Sequence, residues 1–142
     1  MNPMFKSILF PIDQSREARE AAQMVVNLVK THQSRLTLLS VVEQTPAADQ
    51  GSSETTSPMA SPEQVAQLLQ AAQALFAKEN ISAEVIERDG MPSFTICDVA
   101  DEINADLIVM GCRGLGLTTE GAAESVTSRV INLSPCPVLI VP

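Results

Sequence analysis

Three short stretches carry residue types that can hold an anion. Asp13 follows the apolar run Ser7–Ile12. Gly111-Cys112-Arg113-Gly114 follows a second apolar run, Asp106–Met110, and Ser125 opens a segment with helical spacing. Glycine lets backbone N–H groups approach an anion closely, and the first turn of a helix leaves N–H groups free for phosphate. A carboxylate at a strand end accepts from a ribose hydroxyl, and Arg113 either reaches a phosphate or stays a solvated loop charge. Each signal alone is weak, because a Gly-x-x-Gly is also a tight turn and an Asp after a strand is also a cap. No covalent or metal chemistry stands beside them. The single histidine, His32, has no triad partner. No second carboxylate pairs with Asp13 for acid–base work. Cys97, Cys112 and Cys136 lack C-x-x-C or metal spacing. Cys97 and Cys136 read as packing residues, and Cys112 as a loop filler or a modifiable thiol. The expectation is a binding protein rather than an enzyme.

These residues need elements to position them, and strands and helices alternate along the chain. Ser7–Ile12 is apolar throughout, as a strand buried on both faces must be. Ala18, Ala22, Val25 and Val29 recur at helical spacing over residues 15–32. Arg35–Glu43 reads as the second strand. Residues 44–62 hold no large apolar side chain except Met59, which predicts a mobile polar loop. Pro62 opens a second helix whose stripe is Val65, Leu68, Leu69, Ala72, Leu75 and Phe76. Ser82–Arg88 alternates and reads as an edge strand, with Asp89-Gly90 a turn signal. Pro92-Ser93 leads into a third helix with Ile96, Ala100 and Ile103 inward. Asp106–Met110 is a fourth strand, Gly111–Gly121 a glycine-rich loop, and Ser125–Leu133 a fourth helix facing inward through Val126, Val130 and Leu133. Val138–Val141 is the last strand. Such alternation predicts a single α/β domain over residues 1–142, a doubly wound parallel sheet with helices on both faces. Ligands bind such sheets where the strand order reverses. If the first and fourth strands are neighbours there, Asp13 and the glycine loop share one crevice.

The chain has 142 residues and a net charge of −8, from 17 acidic and 9 basic side chains. Residues 44–104 concentrate the excess, ten carboxylates against Lys78 and Arg88. No basic stripe exists for nucleic acid or an anionic membrane. With no Trp or Tyr, a base-stacking platform is excluded as well. Apolar stretches such as Leu107–Met110 fall far short of the roughly 20 residues that cross a bilayer. With three unpaired-looking cysteines and no secretory leader pattern, the expected location is the cytoplasm.

Read together, KSILFPIDQS (6–15), LTLLSVVE (36–43), DGMPSFTICDVA (89–100), ADLIVMGCRG (105–114) and SVTSRVINLSPCPVLIV (125–141) resemble the universal stress protein family. The resemblance runs from Lys6 to Val141, with residues 44–62 a family-variable insertion. It implies the strand order 3-2-1-4-5 and homodimers joined by the last strand, 138–141. It also implies adenine nucleotide, ATP or AMP, as ligand. Asp13 matches the ribose or adenine-edge contact, and Pro11 and Ile12 the loop beside the base. Val41 matches a backbone contact to adenine. Gly111 and Gly114 match the first two loop glycines, with Met110 and Arg113 beside them as candidate nucleotide-binding residues, and Ser125 and Val126 match the phosphate-binding helix start.

ATP-binding members carry Gly-x2-Gly-x9-Gly-Ser/Thr. Here Gly111 and Gly114 are followed by Glu124 where the third glycine belongs. A carboxylate there repels outer phosphates, holds Mg²⁺ beside ATP, or stays exposed with little effect. Two functions follow. One is a stress-responsive dimer that binds adenine nucleotide weakly. The other is a protein-interaction module of the same fold, with an unknown protein partner, that has lost the nucleotide. A slow ATPase ranks behind both.

Overall fold

A computed structural model describes residues 5–12, 16–43, 62–111 and 128–141. The elements are β1 (Ser7–Pro11), α1 (Arg16–His32), β2 (Arg35–Glu43), α2 (Pro62–Ala77), β3 (Ala83–Gly90), α3 (Pro92–Glu102), β4 (Leu107–Gly111) and β5 (Val138–Val141). Residues 128–133 are helical as well. The strands form one parallel sheet in the order β3-β2-β1-β4-β5. This is the order that the resemblance implies.

Side chains of alternate strand residues feed two cores, one on each face. Ile8 and Phe10 of β1, Leu36 and Leu38 of β2, and Leu107 and Val109 of β4 meet α1 through Ala21, Val25 and Val29, and α2 through Leu69 and Phe76. On the other face Leu9, Leu39, Val41, Ile108 and Met110 meet α3 through Ile96, Val99 and Ala100, together with Val130. Burial on both faces explains why β1 and β4 read as unbroken apolar runs. The helices α1, α2 and α3 each hand over to the next strand through a residue with positive φ: Gln33, Asn80 and Asn104. Asn tolerates this left-handed geometry better than most residues. The Asp106 carboxylate then accepts from the backbone N–H groups of Lys6 and Ser7, at 2.9 and 3.0 Å, and ties the start of β4 to the start of β1.

Several boundaries and faces differ from expectation. β1 ends at Pro11, one residue early, because Ile12 leaves the strand while still donating its N–H to the Leu39 carbonyl. β4 begins at Leu107, since Asp106 is spent on capping. β3 runs on through Asp89-Gly90, because both residues pair with β2, up to Glu43↔Gly90. Gly90 also makes the turn: its φ is +142, and an added Cβ would stand 2.9 Å from Thr95 Oγ1. Leu75 is not in the buried stripe; it is 47% exposed. It sits one residue, about 100°, around the helix from Phe76, at the margin of the apolar face. Leu133 is likewise 49% exposed, at the end of the helical residues and beside the outermost strand, while Val130 is fully buried. Ile103 caps α3 and is half-buried against the second core. Most of the expected loop, residues 44–61, lies outside the described residues, and Pro62 opens α2 as anticipated.

Candidate functional site

The strand order reverses at β1. From β1 the chain steps outward through α1 to β2 and through α2 to β3, and α3 then carries it back across to β4 on the opposite side. At the carboxyl ends, β1 and β4 keep their outer neighbours and give up each other. The β1–β4 ladder comprises Ile8↔Leu107 and Leu9↔Ile108. Beyond it β1 stays paired with β2 through Pro11↔Leu39, and β4 with β5 through Gly111↔Val141. The ladder ends there because Pro11, whose backbone faces β4, has no N–H for the next rung, and the crevice at such a reversal, here between Pro11-Ile12 and Met110-Gly111, is where an α/β sheet receives ligands.

Five of the expected site residues line or flank this opening: Pro11, Ile12, Val41, Met110 and Gly111. The side chains of Ile12, Val41 and Met110 are buried in the two cores, so their contribution to the crevice is backbone. Val41 is placed in a telling way. The β1–β2 register closes at Pro11↔Leu39, two residues short of it, while Val41 remains paired with Arg88 of β3. Leu39 turns its carbonyl toward β1, where the Ile12 N–H donates to it at 2.8 Å. Alternation along a parallel strand turns the Val41 backbone groups the same way, past the end of β1. Asp13, Arg113, Gly114, Ser125 and Val126 lie outside the described residues, as do Cys112 and Glu124.

One residue at this opening was not anticipated from the sequence. Ser40 is 1% exposed, and its hydroxyl donates to the Ile12 carbonyl at 3.3 Å. The available signal was a hydroxyl inside the otherwise apolar strand LTLLSVV, where a buried polar group needs a partner. The thiols behave as packing groups. Burial pushes the Cys97 thiol above its ordinary value, and Asp98 and Cys136 add to the shift. Burial also raises Cys136, against a hydrogen bond from Ser134 that lowers it. Among the described residues no cluster of three His, Cys, Asp or Glu side chains is arranged to hold a metal, and no described helix is long and apolar enough to cross a membrane.

A model of the universal stress protein family matches residues 4–142. The chain is 70% identical over 139 residues to universal stress protein Sll1654 of Synechocystis, covering 98% of this chain and 87% of that protein. Among solved structures it is similar to UspA of Lactobacillus plantarum, with a TM-score of 0.79 and 31% identity over 99% of this chain and 100% of that one. Two more distant structures share the fold at 19% identity. One is a universal stress protein in complex with cAMP, with a TM-score of 0.74 and 98% of each chain covered. The other is from Archaeoglobus fulgidus in complex with dAMP, with a TM-score of 0.68 and 98% of this chain and 99% of that one covered. This chain belongs to the universal stress protein family.

Proposed function

We propose that the crevice between β1 and β4 binds an adenine nucleotide, and that the protein is a stress-responsive binding module of the cytoplasm rather than an enzyme. The parting of β1 from β4 carries this reading. It leaves backbone groups for a ligand at the point of strand reversal, and two structures of the same fold are complexes with cAMP and dAMP. Asp13 then addresses the ribose or the adenine edge, Pro11 and Ile12 flank the base, and Val41 meets it through its backbone. Met110, Gly111, Arg113 and Gly114 border the phosphates, with Ser125 and Val126 at the helix start beyond them. Glu124, in place of the third motif glycine, opposes outer phosphates and favours a ligand with one phosphate over ATP. Two copies associate through β5, as argued in the Discussion.

Denaturing the natively purified protein and reading the released small molecules by mass spectrometry tests the proposal. Released adenine nucleotide, with AMP in excess of ATP, is the expected result. No nucleotide, together with no heat on titrating AMP or adenosine, would overturn it. Glu124 favours the second reading that would then stand, a protein-interaction module of the same fold. ATP binding that strengthens with Mg²⁺ would instead make Glu124 a metal-holding group.

A further inference from the structure

We propose that Ser40 is a positioning residue that keeps the Val41 backbone N–H free for a ligand at the crevice. This rests on the reading of the crevice as an adenine site. In a continuing parallel ladder, the N–H two residues beyond Leu39 would donate back to the Ile12 carbonyl. That N–H belongs to Val41. Among the described residues the Ile12 carbonyl takes the Ser40 hydroxyl instead, and the Val41 N–H makes no bond to it. The hydroxyl satisfies the acceptor just past β1, so the ladder stops one rung short. The Val41 N–H is left turned toward the opening beside Ile12. A donor held there suits an acceptor nitrogen on the edge of adenine.

Ser40→Ala removes the hydroxyl donor and leaves a buried carbonyl unpaired. The nearest remaining donor is the Val41 N–H, so the ladder should gain its missing rung and the crevice lose its donor. Two readouts test this. In the free protein, hydrogen exchange at the Val41 amide should be fast relative to Leu39 in the wild type and become protected in Ser40→Ala. In titrations, Ser40→Ala should weaken adenosine about three- to tenfold, the range expected for one hydrogen bond. Ribose 5-phosphate, which has no base, should bind both proteins equally. Ser40→Thr keeps a hydroxyl and should retain wild-type adenosine affinity. Thr37→Ala removes another buried hydroxyl of β2, one without a partner, and should leave adenosine affinity unchanged.

A Val41 amide already protected in the free wild type overturns the proposal. So does a Ser40→Ala variant with unchanged exchange and unchanged adenosine affinity, or one that weakens adenosine and ribose 5-phosphate alike. If Ser40→Ala does not fold, Ser40→Cys, a poorer donor of similar size, replaces it with the same expected directions. If the wild type binds no adenosine, the adenine reading fails, while the exchange measurements still decide whether Ser40 displaces Val41 from the ladder.

Discussion

The family resemblance implies a third motif glycine at the position of Glu124, and on the proposed reading Asp13 and Val41 address ribose and base. Two like charges about 5 Å apart repel by roughly 1 kcal/mol in water-like surroundings and about 3 at an effective dielectric of 20. Glu124→Gly should therefore tighten ATP by about 1–3 kcal/mol and adenosine hardly at all, and Glu124→Gln should recover part of that gain. Calorimetric titration at one fixed salt concentration checks it, since exposed charges are screened. Equal changes for ATP and adenosine would remove the repulsion argument. A second residue-scale expectation concerns Gly90. With φ at +142 and Thr95 Oγ1 2.9 Å from an added Cβ, Gly90→Ala should cost about 1–3 kcal/mol in a urea melt. Site residues are the least legible from sequence when they act through their backbones. Ile12, Val41 and Met110 look like core residues, and their side chains are core. Only the family resemblance separates them from Leu9 or Val109. Ser40 was readable as an anomaly in an apolar strand, but its acceptor depended on knowing where β1 stops.

At the scale of elements, periodicity predicted the architecture well because burial on two faces leaves a long apolar signature in β1 and β4. It predicted the margins poorly. Leu75 and Leu133 are apolar and at helical spacing, but they lie at the margins of their helices' apolar faces and stay about half exposed. Phe76, by contrast, is fully buried edge-on to Phe10, with ring centroids 6.3 Å apart. Phe76→Ala should cost about 3–5 kcal/mol, seen as a lower urea midpoint. α3 is fastened to the edge strand by the Arg88–Glu102 fork, with N···O distances of 2.7 and 3.1 Å. The hydrogen bond from Arg88, aided by its charge, holds the Glu102 carboxyl below its ordinary value. A depressed acid stabilises the fold at pH above its unfolded value, and the contribution disappears as pH falls through the lower folded value. Glu102→Gln should therefore narrow the difference in urea midpoint between pH 7 and pH 3. The change should be small, because the pair is exposed. An unchanged difference would show that the fork contributes nothing.

For the whole molecule, the two sheet edges are unlike. β3 is eight residues long and carries Glu84, Glu87, Arg88 and Asp89, which guard it against stray pairing. β5 is four apolar residues, with Ile131 and Leu133 exposed on the nearby helical stretch. An apolar edge of this kind calls for a partner, and on the proposed reading a two-fold contact between identical β5 strands is that partner. The intact chain should sediment at twice its mass at micromolar concentration, and deletion of residues 137–142 should give monomer or aggregate. An intact monomer under those conditions would sink the idea. A pair joined in this way turns both β3 edges outward, where their charges end further growth.

The tie from Asp106 to the N–H groups of Lys6 and Ser7 also has a temporal consequence. Its partners lie 100 and 99 residues apart in sequence. The central strand is made first by the ribosome, but its second neighbour is nearly the last to emerge. Until residue 107 has been synthesised, β1 has one bare edge in the middle of the future sheet, and the crevice does not exist. Closing such a distant contact is the slow kind of folding event. A nucleotide seated between β1 and β4 would engage only chains that have completed this late step, and its occupancy would mark finished molecules apart from nascent ones.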